Sequence, residues 1–398
     1  MKKVYIIAAC RTPIGKMGGA LADISAADLG SIVIKDAIRR SNLTVDQVDH
    51  VYMGCVIQAG LGQNVARQAA LKAGLPVTTP AVTVNVVCGS GLDSVNLAAQ
   101  MIQTGNADVV VAGGTENMDK APFAMMKGRY GYRMGAPMGK SELIDTMVHD
   151  ALWDSFNDCH MGITAEKICE NWQLTRDELD MYAAGSQNKA VAATQAGEFV
   201  DEITPVIIRG PKGDVIVEKD EGPRAGTTIE GLAKLKPAFK KDGMVTAGNS
   251  STINNGAAAV VLIGEDKMNE LGIEPLAQWL GGALGGVDPA IMGIGPVVST
   301  KKVLKKLNLS MDDIDLVEAN EAFAAQAIAV ARELDFDMDK VNVNGGAIAL
   351  GHPVGASGCR ILVTLLYAMK KRDAKMGLAT LCIGGGMGCS TIVRRGEF

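Results

Sequence analysis

One stretch of this chain occurs twice. Ala37–Gly54, AIRRSNLTVDQVDHVYMG, and Val303–Asn320, VLKKLNLSMDDIDLVEAN, align without a gap. Asn42 and Leu43 fall on Asn308 and Leu309, Thr44 on Ser310 and Asp49 on Asp315. Each copy reads as the end of a helix, a Thr or Ser N-cap, a short turn and a strand. Two further segments repeat in the same order. SGLDSVNLAAQMI from Ser90 matches SGCRILVTLLYAM from Ser357, and DVVVAGGTENM from Asp108 matches GLATLCIGGGMG from Gly377. A unit repeated in order confines the fold to an α/β architecture with two similar βαβ halves, at about 1–118 and 273–398.

Residues 119–247 match neither half. They are rich in Met, Lys, Arg and Gly, contain a helical pattern over Thr175–Gln195, and read as an insertion folded over the first half. VTAGNSSTINNGAAAVVLIGE then returns to a buried-strand pattern and is expected to rejoin the first sheet. The expected division is therefore 1–118 with 248–272, then 119–247, then 273–398.

The 398 residues are 47% apolar and 21% charged, the balance of a globular chain long enough for more than one core. Glycine at 47 residues and aromatics at 4% suit tight turns and close α/β layers. A net charge of −5 argues against nucleic acid as a partner, while a small anionic ligand needs only a local basic patch. No apolar run of about 18 residues marks a membrane span. MKKVYIIAACRTPIG lacks a cleavage site and reads as a first strand, so a cytoplasmic location is expected. The eight cysteines form no C-x-x-C pair, which argues against zinc, and most should be small buried hydrophobes.

Four junctions carry candidate chemistry. In VVCGSGLDSVNLAAQ an apolar run stops at Cys88 and a helical segment follows. Burial in a strand is the common fate of a cysteine. Here Gly89 and Gly91 allow a turn with positive φ, and a helix start favours thiolate over thiol. His352 is the one titratable group in GGAIALGHPVGASG, a setting that suits a base or donor. CIGGGMG places Cys382 beside glycines whose N–H groups suit an oxyanion. VEANEAF adds Asn320 and Glu321.

VVCGSG, GGTENM, HMGITAE, AGNSSTINNGAAA, NEAFA, GGAIALGHPVGASG and CIGGGMG, in this order over the whole chain, resemble the thiolases of the biosynthetic, short-chain type. The resemblance implies two βαβαβαββ halves in five layers, α-β-α-β-α, with 119–247 as a loop domain covering the site. It implies reversible condensation of two acetyl-CoA to acetoacetyl-CoA and CoA. By motif, Cys88 is the acylated nucleophile, His352 activates it, Asn320 holds a water in an oxyanion site, and Cys382 is the acid/base. The N–H groups of Cys88 and Gly384 make a second oxyanion site. His160, Arg224, Ala247 and Ser251 match coenzyme A contacts, and Met161, Met292 and Phe323 match residues that crowd the acyl pocket. No metal or flavin is called for, CoA thioesters being substrates, and a homotetramer is implied. Ser250, Thr252 and Asn255 depart from the family pattern AGNASGINDG.

Other readings compete. A Cys/His/Asn set also fits a papain-like hydrolase, but the local protease signatures are absent and a second thiol has no use there. A decarboxylating ketosynthase would carry His or Asn at Cys382, and a lipid carrier has no need of all four groups. A broader-range 3-ketoacyl-CoA thiolase differs only in chain length. Two thiols in one pocket also raise the possibility of a Cys88–Cys382 disulfide, if their Cα atoms approach to about 6 Å.

Overall fold

The computed structural model describes residues 1–132, 142–211 and 213–396. Nine strands carry the central sheet: β1 (Val4–Arg11), β2 (His50–Gly54), β3 (Ala81–Val84), β4 (Val109–Asn117) and β5 (Asn254–Gly264) from the first half, then β6 (Ala277–Gly286), β7 (Leu316–Ala319), β8 (Met376–Ile383) and β9 (Met387–Arg394) from the second. Their spatial order is β7-β8-β9-β6-β1-β5-β4-β2-β3, with Gly15–Lys16 added on β5. Going inward from β2 or from β7, the connections agree. β2 pairs β4 in parallel, then β4–β5 and β5–β1 are antiparallel. β7 pairs β8 in parallel, then β8–β9 and β9–β6 are antiparallel. On the outside, β3 lies parallel to β2, and its counterpart is reduced to a parallel bridge between Val317 and Val341. The halves join where Val4, Tyr5 and Ile6 meet Trp279, Gln278 and Ala277.

The repeated residues repeat their work. Asp49 accepts from the N–H groups of Asp108 (2.8 Å) and Val109 (2.9 Å), tying the turn before β2 to the start of β4. Asp315 does the same for Lys375 (2.8 Å) and Met376 (2.8 Å) at the start of β8. Thr44 with Gln47, and Ser310 with Asp313, form the two matched caps.

The main helices are α1 (Ala26–Arg40), α2 (Ser90–Gln103), α3 (Met161–Asn171), α4 (Arg176–Ala196), α5 (Gly295–Leu307), α6 (Ala324–Glu333) and α7 (Val354–Arg372). Thr175 caps α4, one residue before its first turn. Alternate residues of β5 enter different cores. Ala258, Val260 and Leu262 pack with Leu92 and Val95 of α2, Ile361 and Leu365 of α7, and Leu381 of β8. Ala259, Val261 and Ile263 pack with Leu29, Val33 and Ile34 of α1. On the far side, Val303 and Leu304 of α5 pack on Val317, Leu378 and Ile392. The layers are thus α1, first sheet, α2 with α7, second sheet, α5. Burial of both faces explains why the β5 sequence is apolar without alternation.

The central layer demands glycine at Gly91. A Cβ there would lie 2.8 Å from Cys359 N and 2.9 Å from the Gly355 carbonyl oxygen, so α2 and α7 touch through backbone. α2 and α7 are the repeated helices, and each begins at one of the candidate turns.

Candidate active site

The two turns open into one cavity of about 820 Å³. Cys88, His352, Cys382 and Gly384 line it, as do His160, Met161, Arg224, Ala247 and Ser251, with Met292 and Phe323. Asn320 is fully buried behind the wall, and its Nδ2 lies 3.5 Å from His352 Nε2. Twelve of the residues singled out from the sequence therefore meet at one place, whereas Glu321 does not line the cavity and accepts from Ser186 Oγ at 2.6 Å and Ile348 N–H at 3.1 Å.

The Cys88 turn is built differently from its glycine reading. Gly89 has φ −74°, and Gly91 lies within α2. The positive φ, 44°, falls on Val87, a β-branched residue for which this region is strained. Neighbours hold it there. Val87 N–H donates to Asn85 Oδ1 at 3.0 Å. Ser90 Oγ accepts from Val86 N–H at 2.9 Å and donates to the Val87 carbonyl at 2.6 Å. Gly89 is needed for room, because a Cβ would fall 2.9 Å from Ile383 Cγ1. The helix start also fails to make Cys88 a resting thiolate. Burial pushes the thiol up to about 11, and the N–H groups of Gly384 and of Cys88 itself offset this only in part. Cys88 therefore rests as a thiol, and to attack an electrophile it would need a base.

His352 can be that base. Burial, and then the Arg360 guanidinium, push its pKa down to about 3, so the ring is neutral. Its tautomer follows from Ser357. The single Ser357 hydroxyl hydrogen goes to the Pro353 carbonyl at 2.9 Å, so Ser357 Oγ accepts from His352 Nδ1–H at 2.5 Å. Nε2 is left with its lone pair, facing Asn320. Asn320 is itself anchored. Its N–H donates to the Thr380 carbonyl at 3.0 Å, and its carbonyl accepts from Gln326 Nε2 at 3.1 Å. Its Oδ1 is buried with no partner among the described residues.

Cys382 is the penultimate residue of β8 and is fully buried. Burial raises its pKa, and a charge on Cys88 would raise it further, so the two thiols sense each other. All eight cysteines, these two included, are free thiols. After Cys382 the chain reverses through Gly385 and Gly386, at φ 86° and 87°. That reversal turns the Gly384 N–H toward the Cys88 sulfur.

The outer cavity joins aromatic rings to charged groups at its mouth. His160 caps α3, and its Nδ1 accepts from Gly162 N–H at 3.0 Å, which leaves the Nε2–H as a donor. The ring stacks on Phe239 at 4.6 Å, and Phe239 meets Phe323 edge-on at 6.1 Å. Arg224 and Lys16 are exposed at the mouth. The departures from the family pattern are satisfied internally. Ser250 Oγ donates to the Thr246 carbonyl at 2.7 Å and Thr252 Oγ1 to Asn254 Oδ1 at 2.8 Å. Asn255 Nδ2 donates to Asp119 at 2.6 Å, a contact that an aspartate at 255 would make repulsive.

Sequence reasoning missed Ser90, Ser357 and Phe239. The serines stand inside quoted motifs, two and five residues after Cys88 and His352, and a local hydroxyl search finds them. Phe239 is a lone aromatic in KPAFKKDG, and no local signal assigns it to the pocket.

Comparison with known proteins agrees with this fold. The family profile described as thiolase, N-terminal domain, matches residues 4–266, and that described as thiolase, C-terminal domain, matches 273–395. The acetyl-CoA acetyltransferase of Syntrophomonas wolfei is 57% identical over 394 residues, covering 98% of this chain and 99% of that protein. That of Pseudomonas aeruginosa is 57% identical over 396 residues, covering 99% and 100%. The crystal structure of the Bacillus anthracis acetyl-CoA acetyltransferase superposes with a TM-score of 0.96 at 44% identity, over 99% of both chains. Human mitochondrial 3-ketoacyl-CoA thiolase gives 0.96 at 43%, again over 99% of both. This chain belongs to the thiolase family.

Proposed function

We propose that the protein is an acetyl-CoA C-acetyltransferase, joining two acetyl-CoA molecules to give acetoacetyl-CoA and CoA, and running in reverse. The observation that carries the reading is the meeting, in one cavity, of a thiol under two N–H groups, a neutral imidazole whose Nε2 keeps its lone pair, and a second thiol.

The chemistry follows a ping-pong course. His352 Nε2 takes the Cys88 proton as the sulfur attacks the first thioester carbonyl. The oxygen gains charge beside the N–H groups of Cys88 and Gly384. The CoA thiolate leaves with the Cys382 proton, and acetyl-Cys88 remains. The Cys382 thiolate then removes an α-proton from the second acetyl-CoA. Protonated His352, with a water held by Asn320, stabilises the enolate oxygen. The α-carbon attacks acetyl-Cys88, and the departing Cys88 sulfur recovers its proton from His352. The nucleophile, the acid/base groups and the oxyanion donors are all supplied by the chain, so the scheme calls on no metal or flavin.

Residues from 119–247, among them His160, Met161, Arg224 and Phe239, cover the cavity and bind the pantetheine and nucleotide of CoA. Met161, Met292 and Phe323 limit the acyl group to short chains; Met161 Cε would lie 2.8 Å from a Cβ on Gly384. Eight free cysteines suit the reducing cytoplasm. A homotetramer is consistent with the edge strand β3, where Val82, and Val77 just before the strand, are exposed.

The test is thiolysis: purified protein, acetoacetyl-CoA and CoA, with loss of the substrate's enolate absorbance. Turnover is expected, with longer 3-ketoacyl-CoA substrates giving lower kcat/KM. Absence of thiolysis would remove the reading and favour a carrier. Equal kcat/KM for long substrates would favour the broader-range thiolase.

A further inference from the structure

Glu116, in GGTENM at the end of β4, has no part in the scheme above and is fully buried. We propose that Glu116 is a positioning residue that clamps the first turn of α7, and with it the His352–Ser357 pair, against the half that carries Cys88. This deepens the acyltransfer reading and rests on it.

The carboxylate holds two segments together. Oε2 accepts from Gly355 N–H at 2.9 Å and from Val56 N–H at 3.0 Å. Oε1 accepts from Ile57 N–H at 3.2 Å, with Cys55 Sγ at 3.6 Å. α7 starts after Pro353 and has no side-chain cap of its own. Glu116 supplies that cap from the other half of the duplication, at the positive end of the helix. Two residues on, Ser357 holds His352 Nδ1. Between them Val354 lines the cavity. The space for the clamp is made by Gly355, where a Cβ would lie 2.6 Å from Glu116 Oε2 and 3.0 Å from Cys55 Cα.

The titratable groups around this carboxylate are the thiols of Cys55 and Cys88; the α7 turn presents backbone N–H groups. Burial raises Glu116 to about 7, with the N–H donors opposing. Protonation makes one oxygen a donor facing other donors, so the clamp loosens as pH falls through this value.

Glu116→Gln keeps the shape and removes the charge. Its amide hydrogens must face either Val56 and Gly355 or Ile57, all donors. The expected result in thiolysis is a fall of about 10- to 100-fold in kcat from misplacement of the base, with KM for acetoacetyl-CoA within about 2-fold. In the unsubstituted protein kcat should fall as pH drops from about 8 to about 6, and this limb should vanish in Glu116→Gln. Glu116→Asp, which restores the charge, should recover part of kcat and the limb. A folded Glu116→Gln protein with full kcat would overturn the proposal. If that variant does not fold, the unsubstituted profile decides, and a flat kcat over this range overturns it. An unsubstituted protein without thiolysis would instead sink the activity reading itself.

Discussion

The half-buried thiol of Cys88 receives two N–H groups, yet the loss of solvation around the sulfur outweighs them and keeps it protonated. A helix start and a glycine turn are visible in the sequence, and both point toward a thiolate. Desolvation acts the other way and depends on how loops from distant parts of the chain close over the sulfur. The consequence is measurable in the free protein. Alkylation of Cys88 by iodoacetamide should rise through neutral pH and keep rising toward about 11, because thiol predominates below that value. A rate that levels off near pH 7 would mean a resting thiolate, and His352 would not be needed for the first step. His352 gives the reverse lesson: its isolation among apolar residues marks it in the sequence, but its tautomer is set by Ser357, one turn into the next helix.

The Cys88 turn, as an element, stores strain at Val87 and is held by Ser90. A positive φ at a β-branched residue costs about 1–3 kcal/mol and persists only under constraint. Ser90→Ala removes both an acceptor for Val86 N–H and a donor to the Val87 carbonyl. The expected loss is about 2 kcal/mol in urea unfolding. A larger relative fall in kcat than in kcat/KM for CoA binding steps is not required; a lower kcat is, since Cys88 shifts as the turn relaxes. Full kcat in a destabilised Ser90→Ala protein would show that the strained turn does not position the thiol. Elements of this kind were only half legible. The strands and caps of the duplication could be read because Thr44, Asp49, Ser310 and Asp315 act on neighbours a few residues away or at strand starts. The strain at Val87 could not, because Gly89 and Gly91 offered a more economical local explanation. Their real task, close approach, exists only once Ile383 and α7 are in place.

Across the whole molecule, the repeated halves meet through α2 and α7, and the site exists because each helix begins at a cavity wall. Gly91→Ala tests this seam. Its methyl group would press on Cys359 N and the Gly355 carbonyl, and overpacking of this kind costs about 1–3 kcal/mol. Urea unfolding should shift by that amount, with activity reduced as α7 is displaced. An unchanged midpoint would mean that the layer is not close-packed there. The duplication made this layout readable in outline. The covering residues were less so: Phe239 joins His160 and Phe323 only through tertiary packing, with no periodicity to announce it.

The ping-pong course requires Cys88 to carry the acyl group between two CoA thioesters. It is tested most directly by mixing the protein with acetyl-CoA, quenching in acid and locating the added acetyl group by mass spectrometry of the digested chain. The expected result is one acetyl group on the peptide containing Cys88, lost when CoA is added before the quench and absent from Cys88→Ser. An acetyl group on another residue, or one that persists in Cys88→Ser, would contradict it.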